Sequence, residues 1–141
     1  MRVEPRLDEV VNGKRGMMEG IRVVLEAKCL VSGVALMFAA MDALASLTRP
    51  VKVLETDRDH FIRWADSYLR PAESVGCSAT DLYSARCGVL HTHSSGSRLQ
   101  QHGEARHLIY EWRHGPDAGL AKPLPDGALV IQVEDLHEAL I

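Results

Sequence analysis

The chain has 141 residues, 46% of them hydrophobic and 25% charged, with a formal net charge of -3. That length suffices for one domain with a true core and no staples, and the composition lies far from the disordered regime. The acidic balance excludes broad electrostatic capture of nucleic acid, which shows as a basic excess, so any RNA contact must be local. Cys29, Cys77 and Cys87 form no C-x-x-C pair. With no signal peptide ahead of them they read as free thiols in a reducing compartment, which predicts a cytoplasmic protein.

Residues 1–16 are charged, carry Pro5 and include Asn12 and Gly13; they predict a loosely held arm or a short helix after Asp8. From Met17 to Leu47 the pattern is helical, amphipathic at first through Ile21, Val24, Leu25 and Lys28, then apolar nearly all round. A run of that length is expected to bend or divide near Gly33, and Arg49-Pro50 ends it. Its stretch Cys29 to Leu47 approaches the length of a membrane span. Asp42 and two serines within it favour a buried core helix instead, so no membrane partner is expected.

Thr56 with Asp59 has the capping-box spacing, and Phe61, Ile62, Trp64, Ala65, Tyr68 and Leu69 supply an apolar face, so a helix is predicted over 57–69. Ser78 with Asp81 repeats the spacing ahead of Leu82, Tyr83, Ala85, Val89 and Leu90. Short loops between these helices imply antiparallel neighbours in a bundle. After His93 the character changes. His107 to Trp112 and Ala128 to Val133 are short and rich in strand formers, and the glycines and prolines between them suggest an antiparallel hairpin with a long loop. A lone hairpin is marginal in water, so it should lie on the bundle or on a second protomer. Glu134 to Ile141 reads as a closing helix. The expected fold is therefore mainly α, a single domain over 1–141 made of the arm, a bundle over 17–93, and a hairpin with closing helix over 94–141.

The stretch 78–93 carries the residues suited to chemistry. Arg86 offers a planar fork of donors that matches a phosphate, and His91 can move a proton near neutral pH. Five residues apart on an ideal helix, they lie roughly 140° from each other, so either Gly88 loosens the turn or the two converge across a dimer. The bland reading pairs Arg86 with a bundle carboxylate and leaves His91 capping a helix end. Asp42, an acid inside an apolar run, needs a partner if buried, and Arg86 is an attractive one. Cys87 lies four residues before His91 on one helix face, yet small thiols are more often inert than reactive. His91, His93, His102, His107, Cys77 and Cys87 match no closed zinc spacing, so neither a metal nor a cofactor is expected.

An Arg, four residues and a His, late in a helical domain and after a Leu-Tyr pair (Leu82-Tyr83), resembles the higher eukaryotes and prokaryotes nucleotide-binding (HEPN) superfamily over Gly20 to His93. The resemblance implies a HEPN-like helical bundle, commonly a homodimer. It also implies RNA binding and metal-independent endoribonuclease action, with Arg86 and His91 as the catalytic pair at a cleft between protomers. Cys87 stands where the family often has Asn or Asp, and His93 where some members have Tyr; with Asp42 these are the supporting positions. The alternative is a non-catalytic dimeric interaction module in which Arg86 and His91 are structural.

Overall fold

A computed structural model describes residues 5–92, 97–114 and 126–141. His93 and most of the connection between the two strand segments lie outside the described residues. The chain is mainly helical, with a two-stranded sheet near the C-terminus and a helix after it.

The N-terminal arm is itself helical: α1, Pro5–Asn12, buries none of its residues. Two helices follow, α2 (Met17–Glu26) and α3 (Leu30–Leu47). The division falls before Gly33, at Lys28, which takes a left-handed φ of 59°. Its ammonium lies 4.4 Å from the centroid of the Trp112 ring, tying this corner to the segment after the first strand. Gly33 serves packing instead, since a Cβ there would run into Leu25 Cδ2. Gly33→Val is thus expected to overpack the α2–α3 contact and cost about 1–3 kcal/mol, read as a lower urea midpoint.

α3 is the longest helix, with Val34, Met37, Phe38, Ala40, Met41 and Ala45 buried in the core. Its length and a mean hydropathy of 1.9 would also satisfy a bilayer span. Thr48 Oγ1 donates to the Ala45 carbonyl at 2.8 Å, and His60 Nε2, reaching across from the next helix, sits 2.9 Å from the same oxygen. These contacts add to Thr48 N, which donates to the same last-turn carbonyl at 3.2 Å.

α4 covers Arg58–Trp64. Its cap is Asp57, whose carboxylate accepts from His60 N at 2.7 Å, whereas the Thr56 hydroxyl is buried without a partner among the described residues. The expected Thr56–Asp59 box is therefore corrected to a single side-chain cap one residue later, at Asp57. Two good capping side chains are adjacent here, and their order in the chain does not say which one turns inward. The helix continues as a wider π turn, Ala65–Leu69, closed by Arg70 N donating to Ala65 O at 2.9 Å. Arg70 then goes left-handed (φ 47°) and Pro71 starts the single turn α5, Pro71–Ser74.

α6, Ala79–Cys87, begins with the expected box: Asp81 N donates to Ser78 Oγ at 3.0 Å and Ser78 N to Asp81 Oδ2 at 2.9 Å. It widens into a π turn over Gly88–Thr92. After a short α7 (Arg98–Gln101) come β1 (Leu108–Glu111), β2 (Leu129–Gln132) and the closing helix α8 (Val133–Leu140).

The strands pair, but in parallel, with Leu108 opposite Leu129 and Glu111 opposite Gln132. The expected antiparallel hairpin is thus corrected. Residues 112–128 are long enough for the crossover that a parallel pair needs, about a dozen residues. The direction is fixed at the strand ends. Arg113 N, just past β1, donates to both Glu134 carboxylate oxygens at 3.1 Å, and the Arg113 side chain pairs with Asp135. Both acids stand in the first turn of α8, just past β2, so the two strands must finish at the same end.

Candidate functional site

The residues expected to act together, Arg86 and His91, lie on adjacent rows of one helical segment and face different clefts. Arg86 and Leu90, four apart, line a cleft of about 490 Å³ with Asp42, Ser46, Arg49 and Thr56. Tyr83, Cys87 and His91, also four apart in turn, line a neighbouring cleft of about 380 Å³ with Arg58, Ser97, Arg98 and Leu99. Spacing of four keeps side chains on one row, and spacing of five does not. The π turn from Gly88 is the loosening anticipated there, yet it leaves the pair on separate clefts.

Arg86 is bound within the fold. Its Nη2 donates to Asp42 Oδ2 at 2.7 Å, joining α6 to α3, and Nη1 lies 3.8 Å from Cys87 Sγ. Nε is buried with no partner among the described residues, and the guanidinium carbon stands 5.9 Å from the Tyr83 ring centroid. The side chain is only 15% exposed. Burial works to lower its pKa, but the contacts with Asp42 and Cys87 outweigh it and hold Arg86 above its ordinary value. The Arg86 cation is consequently compensated within the fold by Asp42. Two of the three guanidinium nitrogens are engaged, so the bidentate grip on phosphate that suits Arg86 by type would require leaving Asp42.

His91 is exposed. Around it, Arg58 forms one exposed ion pair with Glu104 at 3.3 Å, a contact of the kind worth little in water. Arg98 has no side-chain partner among the described residues. It is placed by Ser97, which caps α7: Gln100 N donates to Ser97 Oγ at 3.5 Å and Ser97 N to Gln100 Oε1 at 3.0 Å. The Ser97 hydroxyl also contacts that of Ser84, a buried residue of α6, and so fixes α7 beside the His91 turn. Ser97 and Gln100 have the spacing of a capping box, and that signal could have disclosed α7 and with it Arg98.

The segment before β1 is held by Asp81. Besides its cap contact, this carboxylate, 2% exposed, accepts from Arg106 N at 2.8 Å, Nε at 3.1 Å and Nη2 at 2.7 Å. Burial pushes Asp81 up, yet the Arg106 and Ser78 donors win and keep it below the ordinary carboxylate range. Cys77, nearby and buried, is pushed up to about 12 by burial, reinforced by the Asp81 charge, which makes it an unreactive thiol.

Among the described residues no three His, Cys, Asp or Glu side chains converge as metal ligands. Comparison with family models, curated proteins and solved structures finds no match for this chain.

Proposed function

We propose that the chain is a HEPN-like RNA-binding protein whose backbone-phosphate contact is the His91 cleft rather than Arg86. What carries the reading is that an exposed His91 shares an open cleft with two arginines, Arg58 and Arg98, in an otherwise acidic chain. Guanidinium forks match phosphate, the half-buried Tyr83 ring offers a face for a base, and the exposed His91 imidazole is the candidate general acid or base. A cytoplasmic location and a homodimer belong to the same proposal. Val51 and Leu54, 99% and 87% exposed on the α3–α4 connection, are apolar surface that a two-fold partner would cover.

Anisotropy of a labelled single-stranded RNA, titrated over a range of salt, tests the reading. Arg58→Ala and Arg98→Ala should each flatten the slope of log affinity against log salt by about 0.7. Arg86→Lys should leave that slope unchanged. Affinity that ignores salt, or a slope that only the Arg86 variant alters, refutes this assignment. The Arg86–Asp42 pair favours a second reading, a non-catalytic dimeric interaction module, because it commits to the fold the cation on which the resemblance rests catalysis. That module predicts a dimer in light scattering with no RNA binding at all.

A further inference from the structure

The residues around the His91 cleft divide by chemistry. Arg58, His91 and Arg98 carry or accept positive charge, Tyr83, Cys87 and Leu99 are apolar or nearly so, and among the described residues no carboxylate lines the cleft. Ser97, which completes the lining, is already engaged by Ser84 and by Gln100 N. With a volume of about 380 Å³ the cleft stands at the small end of ligand pockets, so these groups serve one small occupant.

The excess of positive charge is confined to this cleft. The neighbouring one balances Arg49 and Arg86 against Asp42 and Glu55, in a chain whose net charge is -3. A strand laid across both clefts would find surplus cations only in the first. Glu104 draws on them through an exposed 3.3 Å pair with Arg58, and Asp57, next to Arg58 in sequence, is turned to His60 N. Arg98 has no side-chain partner among the described residues.

Two guanidinium cations in one small cleft suit a dianion. A phosphodiester of the RNA backbone carries a single charge, whereas a phosphomonoester carries about -1.5 to -2 near neutral pH and presents three strong acceptor oxygens. Each guanidinium has several N–H donors, and an imidazole keeps at least one in either protonation state. The cleft therefore holds more charge and more donors than a backbone phosphate uses.

We infer, resting on the reading of this cleft as the RNA contact, that it takes a phosphomonoester in preference to the backbone phosphate: the terminal phosphate of an RNA, or that of a free mononucleotide. Arg58 and Arg98 grip the phosphate oxygens, His91 adds a donor, and Tyr83 with Leu99 gives the attached base an apolar seat. One nucleotide is then a complete ligand.

The test is anisotropy of one internally labelled single-stranded RNA, prepared with a 5′-phosphate, with a 3′-phosphate, and with hydroxyls at both ends. At least one phosphorylated form should bind about tenfold or more tighter than the hydroxyl form, in line with an added charge-assisted hydrogen bond. Which form does so identifies the end. The matching adenosine monophosphate should displace the hydroxyl-ended RNA at about a tenth of the concentration that adenosine needs. Arg98→Ala should remove both differences, and because Arg98 is exposed this variant keeps the fold. Equal binding of the three RNAs, or adenosine displacing as well as its monophosphates, overturns the inference while the salt-dependent RNA contact stands. A preference that survives Arg98→Ala overturns it too, by placing the phosphate elsewhere, and binding of no RNA at all removes both the inference and the reading beneath it.

Discussion

Asp81→Ala is expected to destabilise the chain by about 3 kcal/mol, the largest loss from a single polar side chain here. The carboxylate takes four donors: Ser78 N, and the N, Nε and Nη2 of Arg106. Removing it leaves two backbone amides and a guanidinium without their acceptor, and it opens the first turn of α6 as well. Arg106→Ala should cost much less, about 1 kcal/mol, because that side chain is 48% exposed and its backbone amide keeps the bond to Asp81. The pH dependence has a definite sign. The folded-state pKa of Asp81 is depressed, so its contribution is complete above the ordinary carboxylate value of about 3.9 and is lost as pH falls through the lower folded value. Urea midpoints at neutral and strongly acid pH should show this loss in the wild type and a smaller one in Asp81→Asn. Equal acid sensitivity in both would assign the effect to other carboxylates.

Asp81 also marks how far the sequence could be read. Its cap contact with Ser78 is local, three residues apart, and visible as a pattern; its hold on Arg106 spans 25 residues and leaves no trace in periodicity. The same distinction separates other outcomes. The closing helix follows from a run that begins with acidic residues, Glu134 and Asp135, which stand in the first turn of α8. Strand direction depends on Arg113 meeting Glu134 and Asp135, a contact between segments, and so a hairpin was the natural but mistaken expectation. The break at Lys28 instead of Gly33 has a related cause. Glycine signals either a bend or a close approach, and only the packing of Leu25 decides between them. At the candidate site the residue types were legible and their grouping was not. Spacing placed Cys87 with His91 and set Arg86 apart, whereas Arg58 and Arg98 join His91 through tertiary contacts alone.

If the proposed RNA-binding cleft also cleaves RNA, His91→Ala should lower turnover by about 10²- to 10⁴-fold, the usual worth of a positioned proton-transfer group. The helical spectrum should not change, since His91 is exposed and none of the hydrogen bonds described above involves it. Cleavage should survive chelators and leave a cyclic phosphate end, as follows when the 2′-hydroxyl is the nucleophile and no metal-bound water takes part. Arg86 discriminates between a catalytic and a positioning role. If it clamped phosphate, Arg86→Lys would cut turnover heavily, because a point charge cannot reproduce the fork. Paired with Asp42 at 2.7 Å, it should instead tolerate lysine in turnover, while Arg86→Ala loses stability by leaving Asp42 partly buried and unpaired. Cys87→Asn provides the control within the cleft. It replaces the thiol with the polar side chain that the resembled superfamily often carries at this position, and should raise turnover or leave it unchanged. Loss of turnover in Cys87→Ala, with His91→Ala active, would move the chemistry to the thiol. A wild type that binds no RNA and cleaves none would instead leave the interaction module, in which Arg86 and Asp42 simply join α6 to α3.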